Sequence, residues 1–152
     1  MRSIILTLAL LIGTIECDGI FGRTQMIQVT GKVICFENNA TNITIRLYNE
    51  ETFVDKLMNE TTTDEEGRFT IKGSDDEWSD IDPLIHIIHD CNNDNVEMDS
   101  NLAESRFGIC QWKYVIEIPK RYIYRGSWAP KFNLGTIQLA SRHNEQRSCI
   151  HK

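Results

Sequence analysis

The chain predicts an all-β fold, an antiparallel β-sandwich stapled by disulfides. Three observations carry this. Apolar and polar residues alternate through several short stretches, the mark of half-buried strands. Gly, Asn, Asp and Pro separate those stretches, as turns between short strands require. Four cysteines, Cys35, Cys91, Cys110 and Cys149, follow an N-terminus of secretory type, and an even count in an oxidising compartment reads as disulfides.

The N-terminus is set aside first. Arg2 supplies a positive start, and residues 4–15 are apolar apart from Thr7, Gly13 and Thr14. That run falls short of the roughly 20 residues a helix needs to cross a bilayer core of about 30 Å. It fits the apolar region of a signal peptide over residues 1–17, cleaved somewhere in 17–22 near Cys17, Gly19 and Gly22. No later stretch is apolar enough to span a membrane, so no transmembrane segment is expected in the mature chain. Cleavage removes one cation, Arg2, and one anion, Glu16, which leaves the net charge of −6 unchanged. An acidic chain is a poor general nucleic-acid binder, because phosphate contacts need a positive face.

The strands follow in order. Ile27, Val29, Val33 and Cys35 alternate with Gln28, Thr30, Lys32 and Ile34. A turn at 37–40 leads to Ile43, Ile45 and Leu47, read as a second strand hairpinned on the first. Residues 51–58 read as a helical turn and 62–67 as a turn closing on Gly67. Phe69 and Ile71 mark a short strand, and 73–82 an acidic loop. Pro83 stands at a strand entrance, where its missing N–H does least harm. Residues 84–89 form the most apolar strand, expected at the centre of a sheet. Residues 102–107 read as another helical turn. Trp112, Tyr114, Ile116 and Ile118 alternate before Pro119, Ile137 and Leu139 mark the last strand, and His143 and His151 lie in a polar tail. One domain, 24–149, accommodates all of this.

These residues together resemble the nematode transthyretin-like family. The likeness rests on Val29-Thr-Gly-Lys-Val-Ile-Cys35, Ile45-Arg-Leu-Tyr48, Thr63-Asp-Glu-Glu-Gly67-Arg-Phe69, and Asp82-Pro83 through His89-Asp90-Cys91. It continues in Tyr114-Val-Ile-Glu-Ile-Pro119 and Leu134-Gly-Thr-Ile-Gln-Leu139. The resemblance implies a transthyretin-like (prealbumin-type) sandwich of seven to eight strands and a place outside cells or on their surface. It also favours a pairing: Cys91 with Cys110, closing the long loop, and Cys35 with Cys149, tying the first strand to the tail. The loop between Cys91 and Cys110 is longer and more acidic than the family pattern.

Candidate chemistry is sparse. Tyr124-Arg125-Gly126-Ser127 matches the tetrapeptide that ends 5-hydroxyisourate hydrolases, but here it is internal and no histidine lies in 18–33. It reads as a turn. His86 and His89, three apart in a strand, point to opposite faces and cannot jointly hold a metal; His89 is expected to be buried and hydrogen-bonded beside Asp90. Asp75, Asp76, Glu77, Asp80 and Asp82 lack the alternating ligand pattern of a calcium loop and read as solvated. The Asn-rich loop at 92–101, pinned by a disulfide, is suited to contacting a partner. The cysteines lack paired zinc spacing. No catalytic residue, metal or cofactor is expected. Sequons at Asn39, Asn42 and Asn59 predict N-glycosylation. Lys120, Arg121, Tyr122, Tyr124, Arg125 and Trp128 form a basic–aromatic stretch read as a possible partner surface. The expected function is a secreted binding or signalling module for an extracellular protein, lipid or small ligand, acting as a monomer. The alternatives are a small-ligand carrier using an oligomer channel and, third, the hydrolase.

Overall fold

The computed structural model describes residues 23–91, 108–126, 128–141 and 145–151, with the backbone alone at 108–110 and 147–151. The strands are β1 (Arg23–Cys35), β2 (Asn38–Asn39), β3 (Thr44–Asn49), β4 (Lys56–Thr62), β5 (Arg68–Glu77) and β6 (Pro83–His89). After these come β7 (Gly108–Glu117), a 3-10 turn (Lys120–Tyr122), β8 (Tyr124–Arg125), β9 (Lys131–Gln138) and β10 (Glu145–His151). They form two five-stranded sheets packed as a sandwich.

In sheet A, β1 is the central strand. It pairs antiparallel with β5 and β2 on one side, and with β9 in parallel and β8 antiparallel on the other. Sheet B runs β10-β7-β6-β3-β4, antiparallel throughout. The β6 strand is central, as its apolar run predicts, and Pro83 opens it. Inward positions recur at every second residue: Ile27, Val29, Val33, Phe69 and Ile71 from sheet A meet Ile45, Leu47, Ile85 and Ile87 from sheet B. Each such side chain contributes about 1.5–3 kcal/mol by leaving water.

Two glycines fit sites that a Cβ would spoil. Gly67 has φ +74 at the β4–β5 turn, where the Asp64 carboxylate accepts the Glu66 and Arg68 N–H groups at 2.9 and 2.8 Å. Gly73 lies under the opposite sheet, and a Cβ there would stand 2.7 Å from Met58 Cβ and 2.8 Å from Leu47 Cδ2. The sheets approach closely on this side, where Asn59 Nδ2 donates to the Lys72 carbonyl at 2.6 Å.

The structure corrects several expectations. The β3 strand does not hairpin onto β1; it crosses to sheet B and pairs with β4 and β6. Residues 56–62 are a strand in place of a helical turn, because β3 offers them an open edge. Residues 73–77 continue β5, since β1 is long enough to pair with them as far as Glu77. Residues 145–151 are strand β10 on the free edge of β7, so His151 stands in a sheet rather than a tail. The disulfide is Cys35–Cys91, with Cα atoms 5.9 Å apart. This overturns the expected pairing of Cys35 with Cys149 and of Cys91 with Cys110. Cys35 ends β1 and Cys91 follows β6, so the bond ties one sheet to the other, while the backbone of Cys149 lies directly opposite that of Cys110 in the β7–β10 ladder. The signal segment, Cys17, the 92–101 loop, the 102–107 turn, Ser127 and His143 lie outside the described residues.

Candidate functional site

The basic–aromatic stretch is largely engaged. Lys120 Nζ pairs with Asp82 at 2.6 Å, and Arg125 Nη2 with Asp80 at 2.9 Å. The hydrogen bond to Asp82 pushes the Lys120 ammonium pKa up. Arg121 lies over the Tyr122 ring, 4.9 Å from its centre, and Tyr122 stacks on Phe132 at 3.8 Å, against the core. Tyr124 joins β1 as part of β8, opposite Met26. Trp128 is 73% exposed. Within the tetrapeptide, Tyr124 and Arg125 form strand β8 rather than a turn, and Gly126 follows them at φ +117.

The acidic cluster is solvated only in part: Asp76 and Asp80 are exposed, but β5 carries Asp75 inward to 6% exposure. Its carboxylate takes an ion pair from Lys56 and a hydrogen bond from Asn49 Nδ2 at 3.1 Å. Burial alone would raise the Asp75 pKa, but the bonds from Lys56, Asn49 and the Asp76 N–H outweigh it and hold the carboxyl below its usual range. Carboxylate oxygens of Glu51, Asp75 and Glu77 lie within 4.8 Å of one another, and Lys56 already supplies their cation. Asn49, 1% exposed, is the strut of this region: it also donates to Glu77 at 2.6 Å and accepts the Asp82 N–H at 2.8 Å.

The histidines take opposite faces of β6. His86 lies against Tyr48 on the outer face of sheet B, with ring centres 4.5 Å apart. His89 is buried inward, as expected, and faces Glu145 of β10, Nε2 to Oε1 3.2 Å. The contact is not a directed hydrogen bond: both His89 nitrogens and Glu145 Oε2 are buried without one. Burial pushes both imidazole pKa values down, and for His89 this outweighs the opposing pull of Glu145.

The surface that sequence reasoning missed is the outer face of sheet A. Strand register sets out three rows there. One row is Arg68, Lys32 and Thr136; the next is Thr70, Thr30 and Asn133; the third is Lys72, Gln28 and Lys131. The first two rows rim a shallow depression of about 400 Å³. Lys32, Lys72 and Lys131 have no ion-pair partner among the described residues, and Arg68 pairs with exposed Glu66 at 2.8 Å. Each cation sits at an outward, every-second-residue position of its strand. That signal is in the sequence, but the partner strands that gather the cations are not. The sequon asparagines Asn39, Asn42 and Asn59 are all exposed.

The model of the transthyretin-like family (TTR-52) matches residues 30–119. Transthyretin-like protein 5 of Caenorhabditis elegans is 36% identical over 136 residues, covering 87% of this chain and 89% of that protein. Transthyretin-like protein 33 of the same organism is 34% identical over 85% of both chains, and transthyretin-like protein 1 is 32% identical over 99% of this chain and 96% of that one. With an inter-sheet disulfide and a two-sheet β architecture behind it, the chain belongs to the transthyretin-like family.

Proposed function

We propose that the protein is a secreted, N-glycosylated, non-enzymatic binding module that meets an extracellular partner through the outer face of sheet A. The observation that carries this is a cluster of largely unneutralised cations on a chain of net charge −6. Charge concentrated against the sign of the whole molecule is a recognition feature, since it steers and orients an oppositely charged partner. Secretion is supported by the apolar N-terminus, by exposed sequons, and by a cross-sheet disulfide, which persists in oxidising compartments.

The hydrolase alternative is poorly served by the geometry. Arg125 is held by Asp80, ahead of β6, whereas His89 is held at the far end of that strand by Glu145, and no histidine is brought to Arg125 by its described contacts. A further part of the reading is a second disulfide, Cys110–Cys149. Directly opposed residues of an antiparallel pair have Cα atoms about 4.5–5.5 Å apart, inside the span of about 4.4–6.8 Å that a disulfide tolerates.

Expression in a secreting cell tests the proposal. The medium should contain a chain starting at residues 18–23 whose mass falls on glycosidase treatment. An uncleaved, unglycosylated chain kept inside the cell would contradict it.

A further inference from the structure

Building on the extracellular reading, we propose that the outer face of sheet A docks a linear sulfated polysaccharide. Lys32 and Arg68 stand directly opposite each other across β1 and β5. Like charges in that position destabilise a sheet, so an anion above them relieves a repulsion built into the strand pair. The Glu66 pairing leaves both side chains about two-thirds exposed, 65% and 68%. Such a surface pair is weak and yields readily to a stronger anion.

Spacing sets the kind of anion. The Lys32–Arg68 row and the Lys72–Lys131 row are four residues apart along β1, about 13 Å. Lys72 and Lys131 flank Gln28 two strand spacings apart, about 10 Å. One small anion cannot reach both rows; an extended polyanion lying along β1 can. Between the cations stand Thr30, Thr70, Thr136, Asn133 and Gln28, which offer hydroxyl and amide hydrogen bonds to sugar. None of the exposed large apolar side chains belongs to these rows. Among the described residues the face therefore lacks the apolar anchor that membrane-surface binding uses, and the charge and hydrogen-bonding pattern fits a sulfated sugar chain better than a bilayer.

The test is a titration of the secreted, oxidised protein with size-defined heparin oligosaccharides over a range of salt. Binding is expected, with log affinity falling against log salt at a slope of about −3 for four cations. The Lys32→Thr, Lys72→Thr double variant, checked for folding by circular dichroism, should weaken binding about tenfold or more and flatten the slope by about 2. Lys113→Thr, which removes one cation from sheet B, should leave binding unchanged, whereas Lys32→Thr alone should weaken it. No binding to heparin would overturn the proposal, as would equal loss in the Lys113→Thr variant. So would equal binding to unsulfated dextran, or binding to phosphatidylserine vesicles in place of heparin. A secreted, disulfide-bonded chain that ignores heparin would leave the extracellular-module reading intact and remove the glycan; a chain that is never secreted would remove both.

Discussion

At the residue scale, the polar interior does more to define the molecule than its few exposed aromatics. Asn49 joins β3 to β5 and to the start of β6 through three hydrogen bonds. Asn49→Ala leaves the buried Asp75 carboxylate and the Asp82 N–H short of partners, and a loss of about 2–4 kcal/mol is expected in urea unfolding. Titration signs follow from burial. His86 and His89 have depressed folded pKa values, so their contribution is complete above the unfolded value of 6.5 and is lost as pH falls from there toward the folded values. Asp75 is depressed below 3.8 and adds a second loss only under more acid conditions. Stability is thus expected to be greatest near and above neutrality and to fall between pH 7 and 5. In the His89→Gln variant that fall should be smaller, by chemical denaturation at both pH values. His89 was legible as buried from its place beside Ile85 and Ile87. Its partner was not, because Glu145 comes from a strand 56 residues later in sequence.

At the element scale, local periodicity located strands, and pairing decided everything that periodicity could not. The alternation of 27–35 is legible because one face of β1 is buried and the other is not, whereas 84–89 is legible as a continuous apolar run because β6 is buried along nearly its whole length. By contrast, β4 reads Lys-Leu-Met-Asn-Glu-Thr-Thr, an edge strand whose burial is slight throughout, so its pattern resembles a polar helical turn. The acidic half of β5 was obscured for another reason: its inward residues are Gly73 and Asp75, acceptable only because Leu47 and Met58 cover the first and Lys56 and Asn49 satisfy the second. Gly73→Val would push directly on those neighbours, and a loss of about 1–3 kcal/mol is expected by thermal or urea unfolding. The Cys35–Cys91 bond joins the ends of β1 and β6 across a separation of 56 residues. Removing it with a Cys35→Ser, Cys91→Ser double substitution should cost about 4 kcal/mol on the chain-entropy account. Cysteine spacing could not choose this pairing, because the choice depends on which strand ends meet.

At the scale of the whole molecule, the fold distributes charge in a way that the sequence hides. Lys32, Arg68, Lys72 and Lys131 come from three strands and share one face only because β5 and β9 flank β1. The Lys120–Trp128 stretch is contiguous and so is legible in the sequence, but its ion pairs leave it less free. The edges argue for a monomer. Lysine or arginine stands on β4, β5 and β9, and the register of β9 shifts opposite Thr30 and Lys32, where Gly135 takes φ +74. Charged and bulged edges resist strand-to-strand addition. Sedimentation equilibrium at micromolar concentration should return a single-chain mass; a stable dimer or tetramer would favour the channel-carrier alternative.

A sandwich whose sheets are tied together in an oxidising compartment underlies the stability, the charged face and the extracellular role alike. Non-reducing peptide mapping of the secreted protein by mass spectrometry tests that directly. Recovery of Cys35 linked to Cys91 and Cys110 linked to Cys149, with no free thiol, is the predicted result. Cys35 linked to Cys149, or four reduced cysteines, would contradict it.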